Sequence, residues 1–148
     1  MVLNRDAIAA LIPHGGAMCL LEEVISFDDH CIVCRAVSHR DAAHPLRDDG
    51  VLPAICGIEY AAQAMALHGA LVGTAAGNAR GRRGMLAAAR DVTLNVERLD
   101  DIADDLTVSA RKLVGENRRV LYEFALHAGG RELARGRATV VLDAGQVA

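Results

Sequence analysis

The sequence predicts an α+β domain in which one long, buried central helix is wrapped by a curved antiparallel sheet. Three observations carry this expectation. From about Pro53 to Val72 nearly every position is apolar or small, and a helix that is apolar all round is buried on all sides. Two β-rich segments precede that helix and four follow it, separated by polar or Gly-rich breaks. A run of strands around a single principal helix is an α+β plan, not an alternating βαβ one.

The elements follow in order. Asp6 to Ile12 has helical character and is halted by Pro13 and the Gly15-Gly16 pair. Cys19 to Phe27 and Cys31 to Val37 are rich in β-formers, and Asp28-Asp29-His30 between them suits a hairpin turn. Ser38 to Gly50 is polar and aperiodic, hence a loop. The long helix begins near Pro53, whose missing N–H costs little in a first turn, and ends towards Gly73 and Gly77. After a second loop, Thr74 to Gly84, strands are expected at Met85 to Val96, Leu106 to Val114, Val120 to His127 and Glu132 to Leu142.

Composition narrows the functional classes. A chain of 148 residues fits one domain, taken as 1–148. Hydrophobic residues make up 52% but aromatics only 3%, so Ala, Val, Leu and Ile must build the core. A formal charge of −3 argues against nucleic acid, because phosphate binding needs a concentrated basic surface. Cys31 and Cys34 form a lone C-x-x-C on a strand, where positions three apart face opposite ways. No metal site is therefore expected, and the cysteines suit a reducing cytoplasm. The N-terminus lacks the charged-then-apolar layout of a signal peptide. Val51 to Gly73 is long enough to span a bilayer, but Glu59, Gln63 and His68 interrupt it. A buried helix is expected and no membrane span.

Glu59 is the residue most able to carry chemistry. It lies in the first turns of the buried helix, and Glu is almost never fully buried without a partner. Burial raises a carboxyl pKa, and a protonated carboxyl can act as a general acid; the alternative is a partly exposed Glu favoured by the helix dipole. Among six histidines, His30 and His39 are read as solvated, and His68 and His127 as structural. His14, in a Gly-rich bend, and His44, before Pro45 in the loop leading to the helix, could each reach its N-terminus. Free amides around Ala54 to Cys56 could hold a carbonyl oxygen gaining charge. Arg80, Arg82 and Arg83 form a candidate docking patch for an acidic carrier protein or a coenzyme A phosphate, although a charge run is more often a solvated face.

Val51-Leu52-Pro53-Ala54-Ile55-Cys56-Gly57-Ile58-Glu59, followed by Ala61-Ala62-Gln63, resembles the helix-start motif of hotdog-fold 3-hydroxyacyl-acyl carrier protein dehydratases. Upstream, Ile12-Pro13-His14 and Met18 to Val24 resemble the family's Leu-Pro-His and the apolar strand that follows it. The wording is nearest to a divergent branch associated with aryl polyene and related polyketide-like clusters. The sequence departs from the family at three points: His44 stands one residue further from Glu59, Ala54 replaces a Gly, and Arg47 to Gly50 replaces Gly-Lys-Pro.

The resemblance implies a hotdog fold and elimination of water from a 3-hydroxyacyl thioester. Glu59 would be the acid and His44 the base, with His14 in reserve, the two groups of a site coming from different subunits. Ala54, Ile55 and Gln63 would bind substrate. No metal or organic cofactor is implied, since the substrate arrives on a phosphopantetheine arm. The implied partners are an acyl carrier protein and a second hotdog subunit, identical or related. An acyl thioesterase, or a catalytically weak subunit paired with an active dehydratase, are the alternatives.

Overall fold

The order of elements is as expected except for a two-residue strand ahead of the first helix. The structure, a computed structural model, describes residues 3–12, 16–75, 84–116 and 118–142. Strand β1 (Leu3–Asn4) leads into helix α1 (Arg5–Leu11), capped by the Asn4 side chain, which accepts from the Ala7 amide. Strands β2 (Glu23–Phe27) and β3 (Cys31–Ala36) form the expected hairpin. Its turn is tied by Asp28, whose carboxylate accepts the His30 and Cys31 amides at 2.8 Å. Helix α2 spans Gly57–Ala75. It is followed by β4 (Gly84–Leu94), β5 (Leu106–Glu116), β6 (Arg119–Ala128) and β7 (Arg131–Leu142).

All seven strands form one antiparallel sheet in the order β1-β2-β3-β5-β6-β7-β4. The chain therefore leaves β3, crosses the sheet as α2, and enters β4 at the far edge before β5 returns beside β3. Alternation sets the inner face: Ile32, Cys34 and Ala36 on β3 are buried, as are Tyr122, Phe124 and Leu126 on β6. Cys31 is only half-buried while Cys34 is buried, as opposite faces require. Burial pushes the Cys34 thiol up to about 12.

Two sequence expectations need correction here. Cys19 to Glu22 is not strand; β2 starts at Glu23, after a 3₁₀ turn at Gly16–Met18. Helix α2 is also not buried on every side. Tyr60, Ala64, Leu67 and Leu71 are covered by the sheet, whereas a stripe through Ile55, Glu59, Ala62, Ala66, Gly69 and Gly73 is half-buried or exposed. Its alternating four- and three-residue spacing marks one continuous helix face. Ala54–Thr74 is long and apolar enough to cross a membrane by length and composition, yet half of it is buried within the protein.

Packing against β7 is tight at Gly136. A Cβ there would lie 2.8 Å from Phe124 Cζ and 3.0 Å from Val92 Cγ2. Gly136→Ala is expected to destabilise the fold by about 1–3 kcal/mol through overpacking, read as a lower urea midpoint at constant m-value.

Candidate active site

The start of α2 is fixed by an extended segment lying against residues 97–100. The Ala54 amide donates to the Glu97 carbonyl at 3.0 Å, and the Leu99 amide to the Leu52 carbonyl at 2.8 Å. The Leu52 amide donates to Asp100 Oδ1 at 2.8 Å. The Arg98 guanidinium, and then this amide, hold the Asp100 carboxyl well below the usual carboxylate range. A 3₁₀ turn at Ala54–Cys56 then feeds Gly57, which lies close to Leu126 on β6.

These contacts revise the expected oxyanion donors. The Ala54 amide is occupied by Glu97 and the Cys56 amide by the Pro53 carbonyl. Ala54 is therefore a fold contact, not a donor to substrate. Ile55 is 52% exposed at the head of the open stripe.

Glu59 lies on that same stripe, half-buried. Gln63, one turn later, is wholly buried and fully engaged. Its Nε2 donates to the Met18 carbonyl at 2.6 Å and, at a longer 3.4 Å, to Glu59 Oε1. Its Oε1 accepts the Leu20 amide at 2.9 Å. Gln63 thus does not offer its amide to a substrate; it ties residues 18–20 to the helix and orients Glu59. The Cys56 thiol is pushed up by burial and by the neighbouring Glu59 charge, placing sulfur and carboxylate on adjacent turns of one face.

His44 is 5% exposed and faces Tyr60, the residue after Glu59. Its proton arrangement follows from the hydrogen bonds. The Leu46 amide donates to Nδ1 at 3.0 Å, so Nδ1 carries a lone pair and Nε2 carries the proton. Nε2–H then donates to Tyr60 Oη at 3.1 Å. Tyr60 donates to Ser38 Oγ at 2.7 Å, and Ser38 donates to the Leu20 carbonyl at 2.8 Å. Each donor has one acceptor and the sequence of bonds has one direction. Both ring nitrogens are engaged, so the base role expected of His44 has no support in its hydrogen bonding. Burial, then the Arg47 charge, holds its pKa below the usual histidine value.

Other expectations fall differently. His14, Arg80, Arg82 and Arg83 lie outside the described residues. His68 is structural as expected, donating from Nε2 to the Asp28 carbonyl at 2.8 Å and accepting from Tyr122 at 2.6 Å. His39 is not solvated: it is buried, and Nε2 donates to the Ile102 and Asp104 carbonyls at 3.1 and 3.0 Å. Sequence reasoning passed over Tyr60 and Tyr122, each of which bonds a buried His. The signal was present, because a buried Tyr needs a partner for its hydroxyl and the chain has only two. A broad depression of about 950 Å³ on the outer sheet face, near Arg111, Glu123 and Arg137, is lined by none of the candidate residues.

Comparison with known proteins identifies the fold and the family. A structure of the dehydratase heterocomplex ApeI:P from Xenorhabdus doucetiae is similar over 95% of this chain and 91% of that one. Its TM-score is 0.82 at 26% identity. A thioesterase from Haemophilus influenzae shares the fold, with TM-score 0.66, 13% identity and coverage of 95% and 91% of the two chains. A hypothetical thioesterase with coenzyme A from Streptococcus pneumoniae does so at TM-score 0.60 and 13% identity, over 81% and 84%. No curated protein matches the sequence. The family model of ApeP-like proteins, described as ApeP dehydratase, matches residues 6–147. With its hotdog fold and with Glu59 oriented at the head of the central helix, the chain belongs to the ApeP-like dehydratase family.

Proposed function

We propose that this chain is one half of a hotdog pair that removes water from a 3-hydroxyacyl thioester on an acyl carrier protein, giving the trans-2-enoyl thioester in aryl polyene biosynthesis. The observation that carries the reading is the placement of Glu59. It is oriented by Gln63 on the helix face that its own sheet leaves uncovered, so a second subunit completes the site.

The edge strand β4 supports such a pairing. It is eleven residues long, and among the described residues no strand lies beside its outer edge. Its first residues include Met85, 74% exposed, followed by Leu86 and three alanines. Long apolar edges are sites of strand addition unless covered. The ApeI:P heterocomplex makes a related hotdog protein the fitting partner. Arg80, Arg82 and Arg83 remain the proposed carrier-docking patch. The free cysteines among the described residues suit a cytoplasmic setting.

In the proposed reaction a base removes the α-proton, leaving the electron pair on an enolate-like thioester. Protonated Glu59 donates to the β-hydroxyl, the C–O bond breaks, and water leaves as the double bond forms. The base gives its proton to solvent and Glu59 takes one back, so turnover is redox-neutral.

The test is mass spectrometry of a 3-hydroxyacyl carrier protein incubated with the chain together with an ApeI-type hotdog subunit. Loss of water supports the reading. Release of free carrier thiol points to hydrolysis instead, and an untouched substrate overturns the dehydratase assignment.

A further inference from the structure

We infer that His44 is a positioning residue and not a base, so that a hotdog pair containing this chain has one working site, formed by Glu59 and a base on the partner. The part concerning the partner rests on the dehydratase reading of Glu59. The part concerning His44 rests on hydrogen bonds alone.

A base needs a free lone pair or a route by which its proton can depart. His44 has neither. The Nδ1 lone pair is held by the Leu46 amide, and protonating it would set one N–H against another. The Nε2 proton could leave only through Tyr60 and Ser38, and that path ends on the Leu20 carbonyl oxygen. A peptide carbonyl takes no proton near neutral pH, so the path is closed. Turning the ring over would place carbon atoms against Tyr60 Oη and the Leu46 amide. The Tyr60 hydroxyl would keep Ser38, but the Leu46 amide would lose its acceptor. The backbone adds a further restraint, because the His44 amide donates to the Asp41 carbonyl and the His44 carbonyl accepts from the Arg47 amide.

The same bonds show what His44 does hold. The path from His44 ends on Leu20, whose amide is bound by Gln63 Oε1, and Gln63 reaches Glu59. Five hydrogen bonds thus connect the loop at residue 44 to the orientation of the Glu59 carboxylate. If the base of a Glu59 site comes from across the interface, as the family resemblance implies, His44 of an identical copy would not supply it.

Two measurements test this. In the assembled pair, proton–nitrogen correlation NMR of the imidazoles, with His44 assigned from its disappearance in His44→Gln, reads the tautomer directly. The expected result is a neutral Nε2–H ring at pH 7. A ring protonated at Nδ1, or one exchanging between tautomers, overturns the inference whatever the activity. The second measurement is dehydration of a 3-hydroxyacyl carrier protein by the chain alone and by the pair. No turnover is expected from the chain alone. His44→Gln in the pair should lower kcat by less than about tenfold and keep the acid limb of the pH profile, whereas loss of a general base costs about 10²–10⁴-fold. Turnover by the chain alone at the rate of the pair, or loss of the acid limb in His44→Gln with the pair still assembled, overturns the inference while upholding the dehydratase. If the pair itself is inactive, the dehydratase reading fails and the NMR result still decides the role of His44.

Discussion

Glu59→Gln in the assembled pair is expected to lower kcat for dehydration by about 10²–10⁴-fold, with thermal stability nearly unchanged. The amide has the shape of the carboxyl but cannot deliver an acidic proton to the departing hydroxyl. Its carbonyl oxygen can still accept from Gln63 Nε2, the bond that orients the wild-type side chain. Glu59 lies on the uncovered stripe of α2 and not among the core residues, so stability should change by no more than about 0.5 kcal/mol, as for ordinary surface substitutions. Saturation kinetics with a 3-hydroxyacyl carrier protein, beside a thermal melt of the same sample, check both halves. A loss below tenfold would remove Glu59 from the chemistry, and a large fall in Tm would assign it to the fold.

Acidification should destabilise the protein well above the range in which carboxylates protonate. His39, His44 and His68 all have pKa values lowered from 6.5, in each case first by burial. The unfolded chain therefore binds more protons than the folded one as pH falls through 6.5, and stability falls with it. The loss continues until the folded-state pKa values are reached. Between pH 7.5 and 5.5 each ring can contribute up to about 1.4 kcal/mol, or about 4 kcal/mol for the three. Asp28, Asp100 and Asp105 are held below the usual aspartate value, so their stabilisation is lost only at lower pH and does not mask the effect. Urea unfolding at the two pH values measures it. Equal midpoints would mean that the three rings accept protons in place.

His68 is the clearest member of that group. Its Nε2–H donates to the Asp28 carbonyl in the β2–β3 turn, and its Nδ1 accepts from Tyr122 on β6. A second proton on the ring would confront the Tyr122 hydroxyl with a donor and force it to turn within a buried site. The neutral ring thus ties the middle of α2 to two separate parts of the sheet.

Much of this molecule was legible in its sequence because the relevant forces are local. Alternation placed β3, β5, β6 and β7 to within two residues, and a run of apolar and small residues marked the central helix. Glu59 stood out because a carboxylate in such a helix demands a reason. The helix-start motif then pointed to a dehydratase before any tertiary contact was known, and the ApeP-like family match agrees.

What the sequence could not show was how its polar groups pair. His44 meets Tyr60 across 16 residues, Tyr60 meets Ser38 across 22, and Leu20 meets Gln63 across 43. Nothing in the spacing of residues encodes these bonds, which exist only once α2 lies across the sheet. The same holds for Ala54, whose amide is taken by Glu97, and for His39, buried by residues 102–104. Hydrophobic period therefore determined which segments pack and which carboxylate is exceptional. Tertiary structure alone decided which groups take up the histidine protons and lone pairs, because hydrogen bonds are directional and their partners lie far apart in the chain.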